Sequence, residues 1–276
     1  MTDPAIERIL VGTDGSPRAE EAARQALRLA TALGASLDLV FVVDTTRPHP
    51  EDVEAEGEAA LARLARLAAD VGVQAPSRLV AGDPGEALVE EAAEHGIDLI
   101  VLGPDAGVLG GAIRVGRVAA HVVREAPCSV MIAREASRAF PERIVCGVDG
   151  SEGSVATATL AARIAAATGA ELRLLHVVPM LRGDNVEWTL DPEEPSPPEL
   201  EPSVRAAVAA GVVPIREMAM GRPESAIVTV AVRDRVDLVV VGHRGVAGVT
   251  RVLLGSVSEH VSTHAPCSVI VARPRR

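Results

Sequence analysis

Short apolar runs alternate with longer stretches in which apolar residues recur every three or four positions, and this alternation continues along the whole chain. In the first half, residues 8–13, 37–43, 77–81, 98–102 and 128–133 read as strands. The stretches between them read as helices. Ser16-Pro17 supplies an N-cap followed by proline at the first helical position, and Gly34 stops that helix. Residues 51–71, rich in Ala, Glu, Leu and Arg with leucines on one face, predict an amphipathic covering helix whose charges face water. Strands that alternate with helices in this way predict βαβ units and a parallel sheet.

The same pattern occurs twice. Ile9-Leu10-Val11-Gly12-Thr13-Asp14-Gly15-Ser16 returns as Ile144-Val145-Cys146-Gly147-Val148-Asp149-Gly150-Ser151. Gly82-Asp83-Pro84 matches Gly221-Arg222-Pro223, Gly103 matches Gly242, His121 matches His260, and Ala126-Pro127-Cys128-Ser129-Val130 matches Ala265-Pro266-Cys267-Ser268-Val269. Asp14 and Asp149 stand 135 residues apart and Gly103 and Gly242 stand 139 apart, so the second copy carries four extra residues between its second and third strands. A repeat of this length fixes the architecture as two homologous domains, 1–138 and 139–276, joined near Phe140-Pro141. The copies differ most at 180–203, where Asp191-Pro192-Glu193-Glu194-Pro195-Ser196-Pro197-Pro198 cannot hold a regular helix. A mobile acidic loop is expected there, followed by a shortened helix near 203–210, with Trp188 read as a packing residue.

Composition narrows the chemistry. The net charge of −11 and isoelectric point near 5.2 exclude a general nucleic-acid-binding surface. All 27 basic residues are arginine, so a Walker-type lysine, a Schiff base and a lysine general base are ruled out. Cys128, Cys146 and Cys267 sit beside or within apolar runs without paired spacing and read as buried, reduced thiols. No apolar run reaches the ~18 residues of a membrane span and no basic-then-apolar leader opens the chain, so a cytoplasmic protein without a membrane segment is expected.

The stretch from Asp237 to Ser258 carries the strongest chemical signal. Leu238 to Val241 fit a strand buried on both faces, Gly242 marks a close backbone approach or a positive φ, and Ser256 stands where a helix begins. Strand, glycine-bearing loop and helix N-terminus together form an anion cradle, because free N–H groups and the positive end of the helix dipole converge there. In a doubly wound sheet, Asp149 after the first strand would face the same crevice and accept hydrogen bonds from a ribose or base. Other readings stand beside this one. Asp149 also fits a turn cap, His176 a satisfied core histidine, and His121 and His260 packing or surface positions. His260 and His264 have metal-binding spacing, but no third ligand is evident.

The spacing Gly-x-x-Gly-x9-Gly-Ser, with the early Val-Asp-Gly-Ser and the terminal Ala-Pro-Cys-Ser-Val, resembles the universal stress protein family in its tandem two-domain form. The resemblance covers both halves in order. It implies two tandem doubly wound, Rossmann-like α/β domains with five-stranded parallel sheets, their last strands pairing antiparallel in an internal pseudo-dimer. From the ATP-binding subgroup it implies ATP contacts at Asp149, Val177, Gly242, His243, Arg244, Gly245, Gly255, Ser256, Val257 and Ser258. Without lysine, Arg244 or a bound Mg²⁺ is left to offset phosphate charge. In the first copy Asp14, Val42, Gly103 and Gly116 persist, but Ala106 replaces the second glycine and Arg117 the serine, which implies a weaker or empty site. The implied role is a cytosolic stress-response protein in which ATP biases conformation or the choice of a protein partner. Its rivals are a slow ATPase or other nucleotide-processing enzyme and a nucleotide-independent scaffold, and a homodimer is compatible with the sequence.

Overall fold

The computed structural model describes residues 6–45, 50–104, 108–109, 112–113, 116–135, 140–179, 186–191, 195–243 and 255–273. The chain forms two compact units, residues 6–135 and 136–276. In the first, β1 (Arg8–Thr13), α1 (Pro17–Leu33), β2 (Ser36–Val43), α2 (Pro50–Asp70), β3 (Ser77–Ala81), α3 (Pro84–Glu94) and β4 (Leu99–Leu102) follow one another. An antiparallel ribbon of β5 (Val108–Leu109) and β6 (Ala112–Ile113) precedes α4 (Arg117–Glu125) and β7 (Ser129–Ile132). The sheet runs β3-β2-β1-β4-β7, every pair parallel. Strand order reverses at β1, with β2 on one side and β4 on the other. α1 packs with α2 and α3 with α4, one pair for each face of the sheet. Both faces are therefore covered, and Ile9, Leu10, Val11, Leu99, Ile100 and Val101 lose all exposure to water.

The second unit repeats this plan with β8 (Arg143–Val148), α5 (Glu152–Thr168), β9 (Glu171–Pro179), β10 (Val186–Thr189), α6 (Glu201–Ala209), β11 (Ile215–Gly221), α7 (Pro223–Arg233), β12 (Leu238–Gly242), α8 (Ser256–His264) and β13 (Ser268–Ala272). Its strands run β10-β11-β9-β8-β12-β13, parallel except for β10. The five expected strands are present, and β10 is a sixth. It falls inside the segment expected to be a mobile loop and pairs antiparallel with β11, Val186 opposite Met220 and Thr189 opposite Glu217. The physical reason is the open edge of β11, which any adjacent extended run can cover. Beyond β10, Leu190 N–H donates to the Arg216 carbonyl (2.9 Å), and the Arg216 guanidinium reaches the Asp191 carbonyl and, at 3.0 Å, Ser196 Oγ. The side chain of Trp188 lies outside the described residues.

Local rules account for the helix limits. Ser16 Oγ accepts from Ala19 N–H at 3.2 Å and Ser151 Oγ from Ser154 N–H at 3.1 Å, while Gly34 (φ 68°) and Gly169 (φ 74°) close the same two helices in the left-handed conformation. At the N-terminal edge of each sheet one aspartate ties two strands together. Asp98 Oδ2 accepts from Glu7 N–H (2.8 Å) and Arg8 N–H (3.0 Å), and Asp237 Oδ2 accepts from Glu142 and Arg143 N–H, both at 3.0 Å. Asp237 thus anchors the start of β12, at the opposite end of that strand from Gly242. No helix among the described residues is long and apolar enough to cross a membrane.

Candidate functional site

The reversal of strand order in the second unit brings the ends of β9, β8 and β12 side by side, with Leu238 opposite Ile144 and Val148 opposite His176. β8 ends in a tight turn. Asp149 Oδ1 accepts from both Ser151 N–H (3.1 Å) and Ser151 Oγ–H (2.6 Å), and Gly150 takes a positive φ of 80° that a side chain would strain. The turn-cap role read for Asp149 is therefore realised, and the same turn holds the carboxylate at the strand end. Glu199 packs against this turn, since a Cβ on Gly150 would lie 3.3 Å from Glu199 Cα. Sequence reading missed that contact, although Glu199 lies at the repeat position of Ala60, which flanks Gly15 in the same way.

Val177 is buried near the end of β9, and beside it His176 Nδ1 bonds to the Val148 carbonyl at 3.0 Å. This is the satisfied core histidine that the apolar context suggested. Across the crevice, β12 ends at Gly242. His243 is buried, and its N–H donates to the Ala272 carbonyl (2.9 Å). The His243 carbonyl accepts from Gly255 N–H at 3.0 Å, which sets Gly255 beside the end of β12. Arg244 and Gly245 lie outside the described residues.

α8 begins immediately after Gly255, which has no side-chain cap and an ordinary extended backbone (φ −64°, ψ 141°). Glycine is thus not needed for its dihedral angles, and what it contributes is the absence of a Cβ. Ser256 and Val257, in the first turn, direct N–H groups that no preceding helical turn can accept out of the N-terminus. Ser258 is buried, and its hydroxyl donates to the Gly242 carbonyl at 2.6 Å. Its proton is therefore committed to joining α8 to the end of β12 rather than to a ligand. The joint fixes the helix terminus beside the strand end. Asp149, Val177, Gly242, Gly255, Ser256, Val257 and Ser258 accordingly all belong to the rim formed by adjacent strand ends and one helix start.

The first unit keeps the frame with different chemistry. Ser16 N–H donates to Asp14 Oδ1 (3.0 Å), and Gly15 again has a positive φ, 76°. Val42 lies in β2 near its end. Gly103 is a close-approach glycine: a Cβ there would sit 3.1 Å from the Arg18 carbonyl carbon and oxygen. Gly116 caps α4 without a side chain, and Arg117 at the first helical position turns to Asp83, Nη1 to Oδ2 3.2 Å. Asp83 also accepts from Gly85 and Glu86 N–H as the N-cap of α3. Those backbone donors, Glu86 first, and then Arg117 hold its carboxyl below the usual carboxylate range. His121 packs against Gly85, where a Cβ would come within 2.9 Å of the ring. In the second unit His260 and His264 stack with ring centroids 4.0 Å apart. All three cysteines are buried, and burial pushes the Cys146 thiol far above its ordinary pKa.

Two doubly wound α/β units, each with a glycine-started helix at the sheet's switch point, define a tandem Rossmann-like protein. The model of the universal stress protein family matches residues 5–134 and 141–273, and the chain belongs to that family. Universal stress protein Rv2005c of Mycobacterium tuberculosis is 30% identical over 292 residues, covering 96% of each chain, and Rv2623 of the same species is 30% identical over 300 residues with the same coverage. A single-domain-sized relative from Thermus aquaticus is 37% identical over 139 residues, 47% of this chain and 97% of its own. The crystal structure of a universal stress protein from Archaeoglobus fulgidus superposes with a TM-score of 0.78 at 20% identity, over 98% of this chain and 99% of that one. That likeness shows the shared fold.

Proposed function

We propose that the second domain binds ATP, with adenine against Val177, ribose near Asp149 and the phosphates on the N-terminus of α8. The protein is then a cytoplasmic stress-response protein in which the nucleotide biases conformation or the choice of protein partner. The observation that carries this reading is the joint at Ser258. By bonding Gly242 it seats the open helix N-terminus one strand away from the Asp149 turn, so a single crevice offers an acceptor at one end and amide donors at the other. These are the groups an ATP molecule needs. Mg²⁺ bound with the triphosphate supplies further positive charge.

In the first domain, Arg117 and Asp83 occupy the corresponding mouth as an ion pair. We read that site as reduced or empty, which leaves its surface for scaffold contacts. Titration calorimetry should therefore give about one ATP per chain, and ATP should raise the melting temperature. Gly255→Glu places a carboxylate in the cradle and should remove both effects. Two equal sites, or an unaltered shift in the Gly255→Glu variant, contradict this reading.

A further inference from the structure

We propose that Arg222, at the N-cap of α7, contacts the phosphate groups held on α8. The inference rests on the nucleotide reading of the second domain and adds a residue to that site. Its basis is a side-chain contact in the first domain. There, the N-cap of α3 and the first residue of α4 touch, Arg117 Nη1 lying 3.2 Å from Asp83 Oδ2. Arg222 and Ser256 hold the same two positions in the second copy. A side chain at the α7 cap therefore reaches the first turn of α8.

The chemistry of the two positions is exchanged between the copies. In the first, an acid caps α3 and the arginine stands on the cradle helix, where its charge opposes the helix dipole and its largely exposed side chain turns to Asp83. In the second, the arginine stands on the neighbouring helix and a serine starts the cradle helix, so the mouth is cleared and the positive charge faces it from the side. Arg222 makes no capping bond to α7. Its guanidinium is instead held by Glu224, Nε and Nη2 each 2.9 Å from Oε1, and the Glu224 side chain is only 17% exposed while that of Arg222 is 75% exposed. A half-buried acid thus holds one side of an exposed guanidinium through Nε and Nη2. Arg222 and Glu224 both lie close enough to α8 to act on His260: burial first and then the charge of His264 lower its pKa, Glu224 raises it, and Arg222 lowers it less than Glu224 raises it.

Calorimetry of the full chain with ATP and with adenosine, each at low and high salt, tests this. Arg222→Gln should weaken ATP binding about tenfold or more and flatten its salt dependence, while adenosine binding and melting temperature stay at parental values. Arg222→Lys should recover part of the ATP affinity. If Arg222→Gln binds ATP like the parent while Gly255→Glu does not, the nucleotide site stands and Arg222 has no part in it. If Arg222→Gln loses ATP and adenosine together, its role is structural and the proposal fails. If the parent protein binds neither ligand, the nucleotide reading itself falls, and the assignment of Arg222 with it.

Discussion

At the scale of single residues, the two domains solve one electrostatic problem with opposite signs. Asp38 on β2 pairs with Arg78 on β3 (2.9 Å), and Arg78 also holds Glu91 (2.7 Å). The equivalent positions on β9 and β11 are Arg173 and Glu217, paired at 2.7 Å, and Glu217 also holds Arg233 (2.9 Å). In each case the central group, Arg78 or Glu217, lies between two partners of the other sign. The Glu217 side chain is 1% exposed, so its charge depends on both arginines rather than on water. Replacing Glu217 by Arg, the sign found in the first domain, should cost about 3–5 kcal/mol in urea unfolding because it leaves buried like charges facing each other. Adding Arg173→Asp should restore part of that loss. A double variant no more stable than Glu217→Arg alone would show that the pair has no coupling of its own. Asp234 belongs to the same cluster. Its hydrogen bond from Arg233 lowers its pKa against the opposing effect of burial, so its stabilising contribution is complete above the ordinary carboxylate pKa and fades as the solution is acidified through the lowered value.

At the scale of elements, the repeat made most of the fold legible, because parallel strands covered on both faces are continuous apolar runs that recur at fixed offsets. β1, β3 and the helix caps at Ser16 and Gly34 lie where the pattern places them. What the pattern did not disclose is whatever depends on a partner distant in sequence. Val186-Glu187-Trp188-Thr189 does alternate apolar and polar residues, but four residues beside a proline-rich acidic run are too short a signal to read alone, and the open edge of β11 is what pairs them as a strand. Ser258 resembles a phosphate donor until the carbonyl of Gly242 is placed beside it. Arg222 stands where the first copy has Asp83, so the repeat itself carries no sign of a shared role at that position. The covering helices show how far a repeat can drift: α2 has 21 residues and α6 only 9, yet Leu61 and Leu200, and likewise Ala68 and Ala207, are buried at matching positions. Prolines shortened the helix without moving its packing face. Leu64 became Ser203, fully buried, whose hydroxyl has no hydrogen-bond partner among the described residues. Ser203→Ala should therefore stabilise the protein by about 1 kcal/mol, seen as a higher urea midpoint at unchanged slope. A lower midpoint would reveal that the hydroxyl is satisfied, for example by a buried water.

At the scale of the whole molecule, a chain of net charge −11 is proposed to hold a polyanion, and its mean field works against that. Binding then depends on local arrangement: a helix terminus opened by a serine, Ser256, where the first copy has Arg117, and a guanidinium held by its own acid on the neighbouring helix. The glycine before the helix, Gly255 or Gly116, is shared, the other two features belong to the second copy, and the first copy serves as an internal control of the same topology. Hydrogen exchange can use that control. With ATP at about 100 times its dissociation constant, amides that exchange through opening of the second domain should slow about 100-fold, since ligand binding to the closed form adds about 2.7 kcal/mol to the opening free energy. Slowing should include β12 and the first turns of α8. Amides of β4 and α4 should exchange at the rate of the nucleotide-free protein. Their equal slowing would mean that the Asp83–Arg117 pair opens to admit a second nucleotide, and that the exchange of charge between the domains does not decide which cradle is filled.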